Sequence, residues 1–116
     1  MRRGDIVVAR FPYAGGHGNK VRPAVIVQGD RLNRQIHNPI LAMISGNTRL
    51  AGAEPAQLLV DPTTPEGASS GLTMPSAIKC EHLAVVTQSE VIDIIGHLSD
   101  PLKQKLDTCL RAALEL

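Results

Sequence analysis

The chain has 116 residues, 43% hydrophobic and 20% charged, which places it among globular single domains with one modest core, residues 1–116 forming one unit. One Phe, one Tyr and no Trp argue against binding nucleic acid through many stacked bases and leave Val, Ile, Leu and Ala to build the core. A formal net charge of +1 gives no global basic field, although residues through Arg34 carry seven cations against two carboxylates, Asp5 and Asp30.

The first apolar run, Ile6-Val7-Val8-Ala9, reads as a strand. A glycine-rich loop from Gly15 to Gly18 follows and leads through Lys20 to Arg22-Pro23 and a second strand, Ala24 to Val27. Pro23 fixes its own φ and biases Arg22 towards an extended conformation at the strand's entrance. A guanidinium held there offers a planar fork of donors suited to phosphate. A short helical turn is expected around Asp30 to Arg34. Ile40 to Ile44 forms a third strand, Gln57 to Val60 a shorter fourth, and Ser76 to Cys80 a fifth that Leu83 to Thr87 extends. Asp93 to His97 is the last strand.

Ser99 is the expected N-cap of a terminal helix, with Asp100 complementing the dipole and Pro101 in the first turn. Leu102, Leu106, Cys109, Leu110, Ala113 and Leu114 then fall on one face. Strands followed by one amphipathic helix imply a small, strongly bent antiparallel sheet or barrel with the helix packed on it.

Cys80 and Cys109 form no CxxC, and the four histidines show no metal-ligand spacing with them, so neither metal nor cofactor is expected. No signal region and no 18-residue apolar run appear, which points to the cytoplasm. Strand alternation places Lys79 and Glu81 on one face and Cys80 on the other, in the core. His82 and His97 read as structural histidines. Cleavage of RNA by its own 2′-hydroxyl needs a base, a cation or donors for the phosphorane-like charge, and an acid for the departing 5′-oxygen. Arg22 suits the charge, Ser45 a phosphate oxygen, and His17 or Glu81 the proton transfer.

The order and spacing of several short pieces resembles the MazF/PemK (Kid) family of toxin endoribonucleases. These pieces are Arg3-Gly4-Asp5-Ile6-Val7, Phe11-Pro12, Arg22-Pro23-Ala24-Val25, Met43-Ile44-Ser45-Gly46-Asn47-Thr48, Gly71-Leu72, Pro75 to Glu81, and Ile95 to Ser99. The resemblance implies a mainly β, SH3-like barrel with a C-terminal helix, usually homodimeric. It implies metal-independent cleavage of single-stranded RNA and neutralisation by a cognate antitoxin with a flexible tail. By that resemblance Arg22, Ser45, Glu81 and His17 are the expected catalytic residues, and Lys20, Thr48, Ser76 and Lys79 the expected RNA contacts. The family's threonine corresponds to Ser45, with Thr48 the other candidate for the hydroxyl, and its loop glutamate is absent from Gly16-His17-Gly18-Asn19. The alternatives are a toxin that binds gyrase, as in the CcdB-like branch of the same fold, or an inactive member of the family.

Overall fold

The structure, a computed structural model, describes residues 1–12 and 19–116. The strands are β1 (Asp5–Pro12), β2 (Asn19–Ile26), β3 (Ile40–Ser45), β4 (Gln57–Val60), β5 (Ser76–Val85) and β6 (Val91–His97). They form one antiparallel sheet in the order β4-β5-β3-β2-β1-β6. A single-turn helix, α1 (Asp30–Asn33), joins β2 to β3, and α2 (Asp100–Leu114) follows β6.

The expected barrel is realised as a bent sheet and not as a closed one. β4 and β6 are its two edges, and no ladder joins them among the described residues. The bending has a local cause in the strand pairing. Register shifts interrupt β1 against β6 and β3 against β5, and extra residues on one strand of a pair kink it and raise its twist.

Residues opposite one another in a sheet point to the same side, so the register sorts the side chains into two layers. One side carries Ile6, Val25, Ala42, Ile44, Leu58, Val60, Ile78 and Cys80, packed against Leu98 and the Leu102, Leu106 and Cys109 stripe of α2. The other carries a smaller cluster built from Val7, Ala9, Phe11, Ala24, Ile26, Leu41 and Val86. Both are almost wholly aliphatic, as the composition requires. At the start of α2 the Ser99 hydroxyl accepts from the Leu102 N–H at 3.4 Å, which satisfies one of the helix's orphan donors. Arg3 ties the N-terminus to this layer. Its guanidinium donates to the Val27 carbonyl at 3.1 Å and meets Asp107 of α2 at 2.6 Å.

The sequence reading needs one correction of placement. β2 begins at Asn19, not at Ala24, because β1 runs on to Pro12 and its residues from Ile6 to Pro12 all pair with β2. Arg22 therefore stands inside a strand, opposite Ala9, and not at its entrance. Pro23 lies opposite Val8, one residue before the ladder to β3 begins at Ala24. β5 is a single strand of ten residues, so the two segments read from the sequence are joined.

Candidate active site

A row of residues crosses four strands on the side away from α2. Ala24 of β2 faces Met43 of β3, Met43 faces Lys79 of β5, and Lys79 faces Gln57 of β4. Arg22 lies two residues along β2 from this row and Ser45 two residues along β3, so the pleat turns both to the same side as Lys79. Together they edge a cavity of about 160 Å³ lined by Arg22, Met43, Ile44, Ser45, Lys79 and His82.

The presence of His82 comes from an irregularity in β5. Lys79 pairs with Met43 and Leu83 with the next residue of β3, Ala42, so residues 80–82 have no opposite number on β3. Within this bulge Cys80 enters the main core, and its N–H donates to the Ala56 carbonyl at 3.0 Å. Burial, with smaller contributions from Cys109 and Glu81, pushes the Cys80 thiol up to about 12, so at neutral pH it is a packing residue and not a nucleophile. Glu81 accepts a 2.7 Å hydrogen bond from the Gln57 amide nitrogen. His82 turns back to the cavity.

Glu81 stands beside the cavity and is not in its lining. Partial burial pushes its carboxyl up. The Gln57 bond, a backbone N–H and the neighbouring His82 and Lys79 outweigh that and leave it below the ordinary carboxylate range. At neutral pH it is a carboxylate held in place, suited to accept a proton. Gln57 is only 6% exposed, and its amide oxygen has no hydrogen-bond partner among the described residues. The Ser45 oxygen accepts from the Asn47 N–H at 3.1 Å, which leaves its own proton to donate.

The structure thus brings together Arg22, Ser45 and Lys79 from three strands, with Glu81 adjacent. Lys20 is exposed on β2 two residues from Arg22. Thr48 lies in the turn after β3, outside the cavity lining, where its carbonyl accepts from Ala51. His17 falls outside the described residues.

Ser76 lies elsewhere. It faces Val60 and lies three residues from Lys79, an odd spacing that turns it to the α2 side of the sheet. It is 5% exposed, and its hydroxyl donates to the Met74 carbonyl at 2.9 Å. Ser76 is thus placed apart from the cavity that Arg22, Ser45 and Lys79 share. His82 also departs from expectation. It is exposed and makes no side-chain hydrogen bond to another described residue, unlike a satisfied structural histidine. The adjacent polar pair Glu81-His82, which breaks the alternation of β5, is the sequence signal for the bulge.

A larger cavity of about 380 Å³ lies between the end of α2 and strands β3 and β5, lined mainly by apolar residues such as Val27, Ile40, Leu110 and Leu114. Its Arg3 and Asp107 are already paired with each other, so the chemistry rests with the smaller cavity. Among the described residues no three His, Cys, Asp or Glu side chains gather as a metal site. No helix among them is long and apolar enough to cross a membrane.

The family described as the PemK-like, MazF-like toxin of type II toxin–antitoxin systems matches residues 2–114. The chain is 28% identical over 120 residues to endoribonuclease MazF9 of Mycobacterium tuberculosis, covering 100% of this chain and 98% of that protein. It is likewise 28% identical over 117 residues to endoribonuclease EndoA of Bacillus subtilis, covering 100% and 96%. Among solved structures, an endoribonuclease in complex with its cognate antitoxin from a mycobacterial species matches with a TM-score of 0.78 at 19% identity, covering 100% of this chain and 96% of that one. The Mycobacterium tuberculosis toxin MazF-mt6 matches with a TM-score of 0.77 at 21% identity, covering 97% of each chain. At these identities the solved structures establish the likeness of fold.

Proposed function

The chain belongs to the PemK-like, MazF-like toxin family of type II toxin–antitoxin systems, and from that premise we propose that it is an endoribonuclease toxin cutting single-stranded RNA by attack of a ribose 2′-hydroxyl. Relatives matched over nearly their whole length are named endoribonucleases. The observation that carries the reading is the convergence of Arg22, Ser45 and Lys79 from β2, β3 and β5 on one cavity.

The reaction forms a 2′-oxygen–phosphorus bond and breaks the bond from phosphorus to the 5′-oxygen. The products end in a 2′,3′-cyclic phosphate and a 5′-hydroxyl. Arg22 bonds the non-bridging oxygens with its planar fork and stabilises the charge that grows on them. Lys79 adds a point charge, and Ser45 donates its hydroxyl proton to a phosphate oxygen. Glu81, ionised and steadied by Gln57, takes the 2′-hydroxyl proton, with His17 the other proton-transfer candidate. Lys20 and Thr48 contact the flanking strand. These steps use side chains alone.

The partners of this reading are single-stranded RNA, a second copy of the chain, and a cognate antitoxin whose flexible tail covers the RNA site and orders on binding. Its place of action is the cytoplasm, where messenger RNA lies. No observation favours the gyrase-binding alternative.

The test is incubation of the purified chain with a long unstructured RNA in EDTA, beside Arg22→Ala. Discrete fragments with cyclic phosphate ends are expected, and cleavage by the variant should fall at least about 100-fold with its circular dichroism unchanged. Intact RNA with folded, antitoxin-free protein would overturn the reading.

A further inference from the structure

We propose that His82 is a catalytic residue of this chain, the general acid that protonates the departing 5′-oxygen. The inference rests on the endoribonuclease reading and completes it. That reading supplies cations, a hydroxyl and a carboxylate base, but among the described residues it names no acid. Glu81 is ill suited to that half of the reaction because its carboxyl stays ionised.

His82 lines the same cavity as Arg22, Ser45 and Lys79. It is exposed, and among the described residues none is hydrogen-bonded to its ring. Its position is built by the fold. The three-residue bulge opposite Met43 and Ala42 returns the side chain to the cavity after Cys80 has anchored the backbone in the core. Bulges of this kind re-aim side chains beside functional sites.

The charged groups that share the cavity with it are Arg22 from β2 and Lys79 from β5, β3 contributes the neutral Met43, Ile44 and Ser45, and Glu81 is its neighbour along β5 outside the lining. Histidine is the side chain whose protonation changes near neutral pH, which suits it to a proton transfer repeated at every turnover. The balance closes within the site. The 2′-hydroxyl proton passes to Glu81, the 2′-oxygen bonds phosphorus, the P–O5′ bond breaks, and the 5′-oxygen leaves with the proton of His82. Exchange of one proton with water then resets the pair.

The experiment first maps a cut site with the wild-type chain on a long RNA. It then compares two short RNAs carrying that site, one with the ordinary 5′-oxygen and one with a bridging 5′-sulfur. A thiolate leaves without protonation. His82→Gln is expected to lose about 100- to 10,000-fold on the oxygen substrate and little on the sulfur one. His82→Ala should behave alike, with thermal melting as the check that both variants fold. Oxygen-substrate cleavage by His82→Gln within about threefold of wild type, or equal losses on both substrates, overturns the proposal. Active wild type with inactive Arg22→Ala and active His82→Gln overturns the His82 assignment alone. Inactive, folded wild type overturns the endoribonuclease reading and this proposal with it.

Discussion

Gln57 is the residue whose surroundings make least sense without chemistry. Its amide nitrogen holds Glu81, while its buried oxygen finds no partner among the described residues. A buried, unsatisfied acceptor costs about 1–3 kcal/mol, and an apolar side chain of similar size removes that cost. Gln57→Leu removes that cost together with the bond to Glu81, so its melting temperature should change little. Its effect should appear in the pH–rate profile. The Gln57 bond helps lower the Glu81 pKa in the folded chain, so this interaction is present at neutral pH and lost as pH falls through that lowered value. Without the donor the Glu81 pKa rises, and the acid limb of kcat/KM should move to higher pH. An unmoved limb would show that Gln57 does not position the base. Residues of this kind mark the boundary of what the sequence disclosed. Arg22, Ser45 and Lys79 were legible because each stands in a short motif of recognisable order. Gln57 was not, because its partner lies 24 residues away and a lone Gln in a short apolar strand carries no record of it. The placement of Ser76 is legible more simply, since its spacing of three from Lys79 turns it to the other side of the sheet.

At the level of elements, β3, β4 and α2 follow closely from the chain because their boundaries are local. Pro39 precedes β3, Asp61 ends β4, and Ser99 caps α2. Ser99→Ala should cost about 1 kcal/mol and lower the melting temperature, as loss of an N-cap oxygen does. Cutting per folded molecule should be unchanged, because α2 packs on the side of the sheet away from Arg22 and Lys79. A paired melt and cleavage assay would reveal any coupling. The features that were not legible depend on pairing between distant segments. The early start of β2 follows from its ladder with β1, and the β5 bulge from its ladder with β3. The crossing of the Ala68–Ser70 turn over β6 is of the same kind. A Cβ on Gly96 would lie 2.3 Å from the Ser70 carbonyl carbon, and Gly71, at φ +74, would meet the Ile95 oxygen at 2.0 Å. Two glycines far apart in the sequence are thus explained by one contact between backbones.

Across the whole molecule the sheet divides labour between its sides. One side is sealed by α2 into the larger core. The other holds a small aliphatic cluster and then gives way to polar groups where β2, β3 and β5 diverge from it. With a net charge of +1 there is no long-range field to gather RNA, so electrostatic affinity must come from the few cations at this place. Single-stranded nucleic acid releases roughly 0.7 counterion per phosphate neutralised, so contacts from Lys20, Arg22 and Lys79 imply a slope of log K against log salt of about −2. Fluorescence anisotropy with a 2′-O-methyl RNA, which binds but lacks the attacking hydroxyl, would measure it. Lys79→Ala should make the slope shallower by roughly 0.7 and weaken binding to all sequences alike. A much steeper slope would require cations beyond the cavity and would shift the RNA path towards the exposed arginines outside it. An unchanged slope in Lys79→Ala would remove Lys79 from the phosphate contacts and leave charge stabilisation to Arg22.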